Sequence, residues 1–154
     1  MLNALTMMAA KDRGGTFGIG VGADGHILES AVLNVVVVGK DRVMRTPPFD
    51  NLLRGCTIRR TMALAAEKLV PAGVLAGVAQ EKIALADIYG ADELFLVAGD
   101  THMYACTSLD GRPIGDGKPG PVKDKVMALL QADAREGTAD HVELDAPAKR
   151  AKLS

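Results

Sequence analysis

Residues 50–68 are the stretch whose side-chain types and spacing best suit chemistry: a short loop, Asp50-Asn51-Leu52-Leu53-Arg54-Gly55, running into Cys56-Thr57 and a run of good helix formers. Gly55 supplies turn freedom. The Thr57 hydroxyl is placed to cap the helix that follows by accepting from an N–H one turn on. Ile58, Met62, Ala65 and Leu69 then fall on one apolar face. A helix start behind a glycine loop presents unpaired N–H groups and the positive end of the helix dipole, which suits a phosphate. Arg54, Arg59 and Arg60 add positive charge. The plain alternative is an ordinary capped helix with solvated arginines.

Other reactive-looking stretches fail on context. Gly18-Ile19-Gly20-Val21-Gly22 lacks dinucleotide-loop spacing, and a hairpin turn stands where the helix should begin. Gly117-Lys118 is followed by proline and has no glycine at the P-loop spacing before it. His26, His102 and His141 are scattered, as are Cys56 and Cys106, so none is spaced as a metal ligand. The cysteines read as reduced, buried thiols. The basic tail Pro147-Ala148-Lys149-Arg150-Ala151-Lys152 is short enough to be an ordinary solvated end.

The elements that must position residues 50–68 are legible from periodicity. Leu2 to Lys11 reads as a helix with Leu2, Leu5 and Met8 on one side, stopping at Gly14-Gly15. It starts without a cap, like a helix entered part-way. Phe17 to Val21 and Ile27 to Glu29 form a hairpin about Asp24-Gly25. Val32 to Val38 is a buried strand, and Val43 to Arg45 returns beside it until Thr46-Pro47-Pro48 ends the ladder. The helix from Thr57 ends near Val70-Pro71. Gly73 to Gly77 is a loop or short strand, Glu81 to Tyr89 a helix, Glu93 to Val97 a buried strand, and Met103 to Leu109 extended. A Gly- and Pro-rich loop, 112–121, leads to a last helix, Val122 to Ala134. Residues 135–154 are polar and expected to be loose. This order predicts a mixed α/β (α+β) domain with hairpin-connected strands over residues 1–134, and not a doubly wound sheet.

The 154 residues are enough for a core, 48% of them are apolar, and the net charge is −1. A near-neutral chain poor in aromatics argues against nucleic acid as a partner. No apolar run is long enough to span a membrane, and the first residues lack the basic-then-apolar order of a secretory signal.

Three segments together resemble one family. Ile27-Leu28-Glu29-Ser30-Ala31-Val32-Leu33-Asn34-Val35 is similar to a strand carrying Glu with Asn five residues on. Phe49 to Arg59 is similar to that family's Leu-x-Gly-x-Thr turn, and Ile114 to Val122 to its late glycine-rich loop before a helix. The family is the class IV, fold-type IV pyridoxal-phosphate aminotransferases, which include branched-chain and D-amino acid transaminases and aminodeoxychorismate lyase. The likeness runs from about Leu2 to Ala134 and is strongest to plant and algal D-amino acid or branched-chain-like members.

The resemblance implies the large C-terminal domain of such an enzyme, a hairpin-rich sheet or pseudo-barrel with surrounding helices. It implies pyridoxal 5′-phosphate as cofactor, with amino acid and 2-oxo acid substrates, a homodimer in the whole enzyme, and the cytosol or a plastid as compartment. Glu29 would face the pyridine nitrogen, and Asn34 would support the Glu29 loop. Leu53, Gly55, Cys56 and Thr57 would hold the ring face and the phosphate. Gly99 and Thr101 would stand where the family places a second phosphate contact, although Asp100 brings a negative charge there. Gly117, Gly120 and Pro121 would form a structural loop near the site. The Schiff-base lysine of the family would fall just upstream of Met1, as would the small N-terminal domain, and Lys11 is a poor substitute. The chain is therefore expected to be the C-terminal part of a transaminase. The alternatives are a non-catalytic protein of the same fold, or a β-eliminating lyase.

Overall fold

The computed structural model describes residues 2–50 and 52–136. Helix α1 covers Leu2–Asp12, and strands β1 (Ile19–Val21) and β2 (Ile27–Ser30) form the expected hairpin. Strands β3 (Asn34–Val38) and β4 (Val43–Thr46) form a second one. Helix α2 covers Cys56–Leu64 and widens into a π-helical turn over Ala65–Leu69. Then come β5 (Gly77–Gln80), α3 (Leu85–Tyr89), β6 (Glu93–Val97) and β7 (Met103–Ala105). A small hairpin, β8 (Ser108–Leu109) with β9 (Arg112–Pro113), precedes α4 (Pro121–Glu136).

The main sheet has the order β5-β4-β3-β6-β7. It is antiparallel except for the β4–β5 pair. Alternation along the two central strands divides the core between its faces, because successive side chains leave a strand on opposite sides. Val36, Val38, Phe95 and Val97 pack with Met44, Ile58, Leu64 and Leu69 and with Val122, Val126 and Leu130 of α4. Val35, Val37, Leu94 and Leu96 pack on the other side with Ile27, Ile83, Ile88 and Ile114. Helices α2 and α4 thus cover one face, while β2 and α3 cover the other.

Several expected bounds move. The 17–21 and 32–38 strands begin later, at Ile19 and Asn34. The loop or short strand expected over 73–77 is a strand farther on, β5 at 77–80, whose four residues are only half-buried or exposed at a sheet edge. Residues 81–84 are not helical, Ala84 instead bridging His26 beside the first hairpin, so α3 starts only at Leu85. The 103–109 extended stretch breaks into β7 and β8. Helix α4 runs to Glu136, two residues past the expected end. Two residues of the expected apolar side of α1 are not covered: Leu5 is 56% and Met8 60% exposed. Most of the expected polar tail, with His141 and the basic residues after it, lies outside the described residues.

Candidate functional site

The site residues are carried by three elements meeting at the N-terminal end of β3, the central strand of the main sheet. Strand β2 brings Glu29, the first residue of β3 is Asn34, and Pro47-Pro48 ends β4 and sends the chain toward the loop before α2. All of this converges on Leu53. Its N–H donates to Glu29 Oε2 at 3.3 Å. Its carbonyl accepts from Asn34 Nδ2 at 3.3 Å and from the Gly55 N–H at 2.9 Å. Glu29 is half-buried, so it is not the solvent-facing strand-edge glutamate that a two-residue alternation allows. Asn34 supports the loop before α2 at Leu53, where the sequence suggested the Glu29 loop.

Gly55 and Thr57 act differently from expectation. Gly55 is the N-cap residue of α2, with φ −57° and ψ 133°, a conformation open to any residue. Glycine leaves room there for the Asn34 amide: a Cβ would lie 2.7 Å from Asn34 Oδ1, so a side chain would require that amide to shift. Thr57 is the second helical residue and not the cap. Its hydroxyl donates to the Gly99 carbonyl at 3.2 Å, tying α2 to the turn between β6 and β7. Among the described residues, no side chain caps the α2 N-terminus. The first-turn N–H groups of Cys56, Thr57 and Ile58 therefore have no side-chain acceptor among the described residues, which is the arrangement an anion needs.

Of the three arginines, Arg60 is committed elsewhere, donating to both carboxylate oxygens of Asp133 at 2.9 and 2.6 Å. Arg54 and Arg59 are exposed, and so is Cys56. Cys106 is half-buried, and burial pushes its thiol up to about 11. Thr101 has φ 68°, uncommon for a β-branched residue and a mark of a constrained turn. Asp100 folds back on this turn, accepting from the His102 N–H at 3.3 Å and lying 3.0 Å from His102 Nδ1. The hydrogen bond from His102 holds its carboxyl below the usual range.

The structure thus brings Glu29, Asn34, Leu53 and Gly55 together through direct contacts, and Thr57 with Gly99. Cys56 and Thr101 join them only through their chain neighbours. A groove of about 1390 Å³ lies elsewhere, between the end of α1, residues 14–19 and residues 103–111, and none of the site residues lines it. Lys11 is exposed in the last turn of α1. The sequence also gave no role to Glu93, a buried carboxylate on β6 that accepts the Val122 and Lys123 N–H groups at 2.8 and 3.0 Å. It caps α4, and a Cβ on Gly120 would fall onto its carboxylate. A lone charge in the apolar run Glu-Leu-Phe-Leu-Val, paired with an uncapped Gly-Pro helix start, was the available signal.

The pattern of the amino-transferase class IV family matches residues 1–109. The chain belongs to this family. It is 39% identical over 138 residues to the chloroplastic D-amino-acid transaminase of Arabidopsis thaliana, covering 88% of this chain and 36% of that one. It is 32% identical to the branched-chain-amino-acid aminotransferase of Pseudomonas aeruginosa, over 68% of this chain and 32% of that one. The branched-chain amino acid aminotransferase of Escherichia coli superposes with a TM-score of 0.71 at 30% identity, over 81% of this chain and 41% of that one. The class IV fold is therefore that of the described domain, and the chain spans about a third of the length of the curated relatives it matches. No helix among the described residues is long and apolar enough to cross a membrane.

Proposed function

We propose that this chain supplies the cofactor-binding part of a pyridoxal-phosphate-dependent transaminase that exchanges an amino group between an amino acid and a 2-oxo acid. Branched-chain and D-amino acids are the substrate classes its relatives' names suggest. The observation that carries this reading is the convergence of Glu29 and Asn34 on Leu53, directly before an uncapped helix start.

The residues fit the group. With Oε2 engaged by Leu53, Glu29 has a second carboxylate oxygen with which to hold a proton on the pyridine nitrogen. The Leu53 side chain is 73% exposed and suits a contact with the ring face. The N–H groups of Cys56 and Thr57, just past Gly55, suit the phosphate. Gly99 and Thr101 border that end, with Asp100 lowering the attraction for an anion. When bound, pyridoxal phosphate supplies the electron sink that makes the α-carbon of an amino acid acidic. The chain's own part is to hold the pyridine proton, orient the ring and fix the phosphate. The whole enzyme would be a homodimer in the cytosol or a plastid, with two thiols that are free here.

A second reading is a non-catalytic relative that keeps the fold. It is favoured by Asp100 at the phosphate end and by the absence of any lysine from the hydrogen bonds among the described site residues. Pyridoxamine 5′-phosphate titrated into the chain tests the site: it should bind, and Glu29→Gln should weaken it while leaving inorganic phosphate unaffected. No binding would end the cofactor reading. Borohydride reduction with pyridoxal phosphate separates the two readings of the 154-residue chain. A trapped lysine adduct with turnover of amino acids would show that the chain carries its own catalytic lysine, with Lys11→Ala the first variant to examine.

A further inference from the structure

Two side chains from different strands hold the two sides of one residue. The Leu53 N–H belongs to the peptide before its Cα and is taken by Glu29; the Leu53 carbonyl belongs to the peptide after it and is taken by Asn34. The Gly55 N–H closes a tight turn onto the same carbonyl. Peptide planes are rigid, so only φ and ψ of Leu53 relate these contacts. With the carbonyl side pinned by two donors, the Leu53 N–H is left facing Glu29.

We propose that Asn34 is a positioning residue: it aims the Glu29 carboxylate through the Leu53 backbone without touching the cofactor. Asn34 suits this because it is itself fixed, as the first residue of β3, by register with Val97 of β6 at the centre of the sheet. Its amide oxygen faces Gly55, where any side chain would collide with it at 2.7 Å. Gly55 is thus the space Asn34 requires, and Gly55→Ala should reproduce the loss of Asn34. The consequence for chemistry rests on Glu29 being the partner of the pyridine nitrogen: a carboxylate free to swing would hold that proton less well.

Nuclear magnetic resonance on the unmodified chain tests the bracket. A scalar coupling across the hydrogen bond from Asn34 Nδ2 to the Leu53 carbonyl is expected, and its absence would overturn the proposal. The Leu53 amide proton should follow the ionisation of Glu29, and Glu29→Gln should abolish that response. Asn34→Leu, similar in shape but lacking the donor, should cut the response at least by half, and Gly55→Ala should do the same. A full response in both variants overturns the proposal. If Asn34→Leu does not fold, the coupling and Gly55→Ala still decide. Pyridoxamine 5′-phosphate separates this from the cofactor reading. Asn34→Leu should weaken its binding about five-fold, one net hydrogen bond, with inorganic phosphate bound as before. Equal binding by the variant overturns the positioning role. A wild-type chain that binds no pyridoxamine phosphate removes the cofactor reading and leaves the bracket to the couplings.

Discussion

Thr57 and the two cysteines show how much a single side chain's surroundings change its use. The Thr57 hydroxyl is spent on the Gly99 carbonyl, so it ties the helix start to the β6–β7 turn instead of capping the helix. Thr57→Val should therefore loosen the phosphate end and weaken pyridoxamine-phosphate binding by about 1 kcal/mol, while Thr57→Ser keeps it. Calorimetric titration finding valine and threonine equal would remove Thr57 from the site. Cys56 is exposed at the first position of α2, whereas burial holds the Cys106 thiol up at about 11. The thiolate is the reactive form, so alkylation at mildly basic pH should label Cys56 well before Cys106. Pyridoxamine phosphate should slow labelling at Cys56. Mass-spectrometric mapping that shows no protection there would place the phosphate elsewhere.

At the scale of elements, α4 is held to the sheet by a cap from far away in sequence. Glu93 receives two first-turn N–H groups of α4, satisfying donors that a Gly-Pro start cannot satisfy itself and placing a carboxylate at the positive end of the dipole. Glu93→Ala leaves those donors buried against β6 and should cost about 1–3 kcal/mol. Gly120→Ala should also destabilise, since its methyl group displaces the same carboxylate. Urea denaturation is the measurement, and a loss below roughly 0.5 kcal/mol for Glu93→Ala would match an ordinary surface change instead. Helix α2 is tied in by its own face of Ile58, Thr61 and Leu64 and by the Arg60–Asp133 pair to α4. The candidate site therefore sits on a helix braced along its length but open at its start.

For the whole molecule, surface carboxylates couple the fold to acid. Lys82 and the His26 N–H bring Asp24 from 3.8 down to about 2. Arg45 and the Val43 N–H do the same to Asp41. A depressed carboxylate adds stability that is present above its unfolded value and is lost as the pH falls through the folded one. Both groups are exposed, so salt should shrink the effect. Melting temperature should fall between about pH 4 and pH 2, and the gap between wild type and Asp41→Asn should close over the same window. A gap that stays constant across it would mean that the Asp41–Arg45 pair contributes nothing to folding. None of the residues around Leu53 lines the groove beside α1, whose Leu5 and Met8 are exposed.

Local signals sufficed for most of the architecture. A β-branched run at 35–38 and an apolar one at 94–97, Asp-Gly and Pro-Pro punctuation, and a helical apolar period from Ile58 to Leu69 are short-range physics, and they produced the β1–β2 and β3–β4 hairpins, the central strands and α2. The motifs around Glu29, Asn34, Gly55 and Thr57 marked the family for the same reason, since each is a contiguous string. What only the tertiary structure decided depends on residues distant in sequence. Strand β5 exists because β4 offers it a parallel edge, not because residues 77–80 favour extension. Gly55 is glycine because Asn34, twenty-one residues earlier, occupies the space of its Cβ. Glu93 is buried because α4 begins above it. The meeting of Glu29 and Asn34 on the two sides of Leu53 has no expression in any single stretch of sequence: it arises when a hairpin, a central strand and a loop are packed against one another.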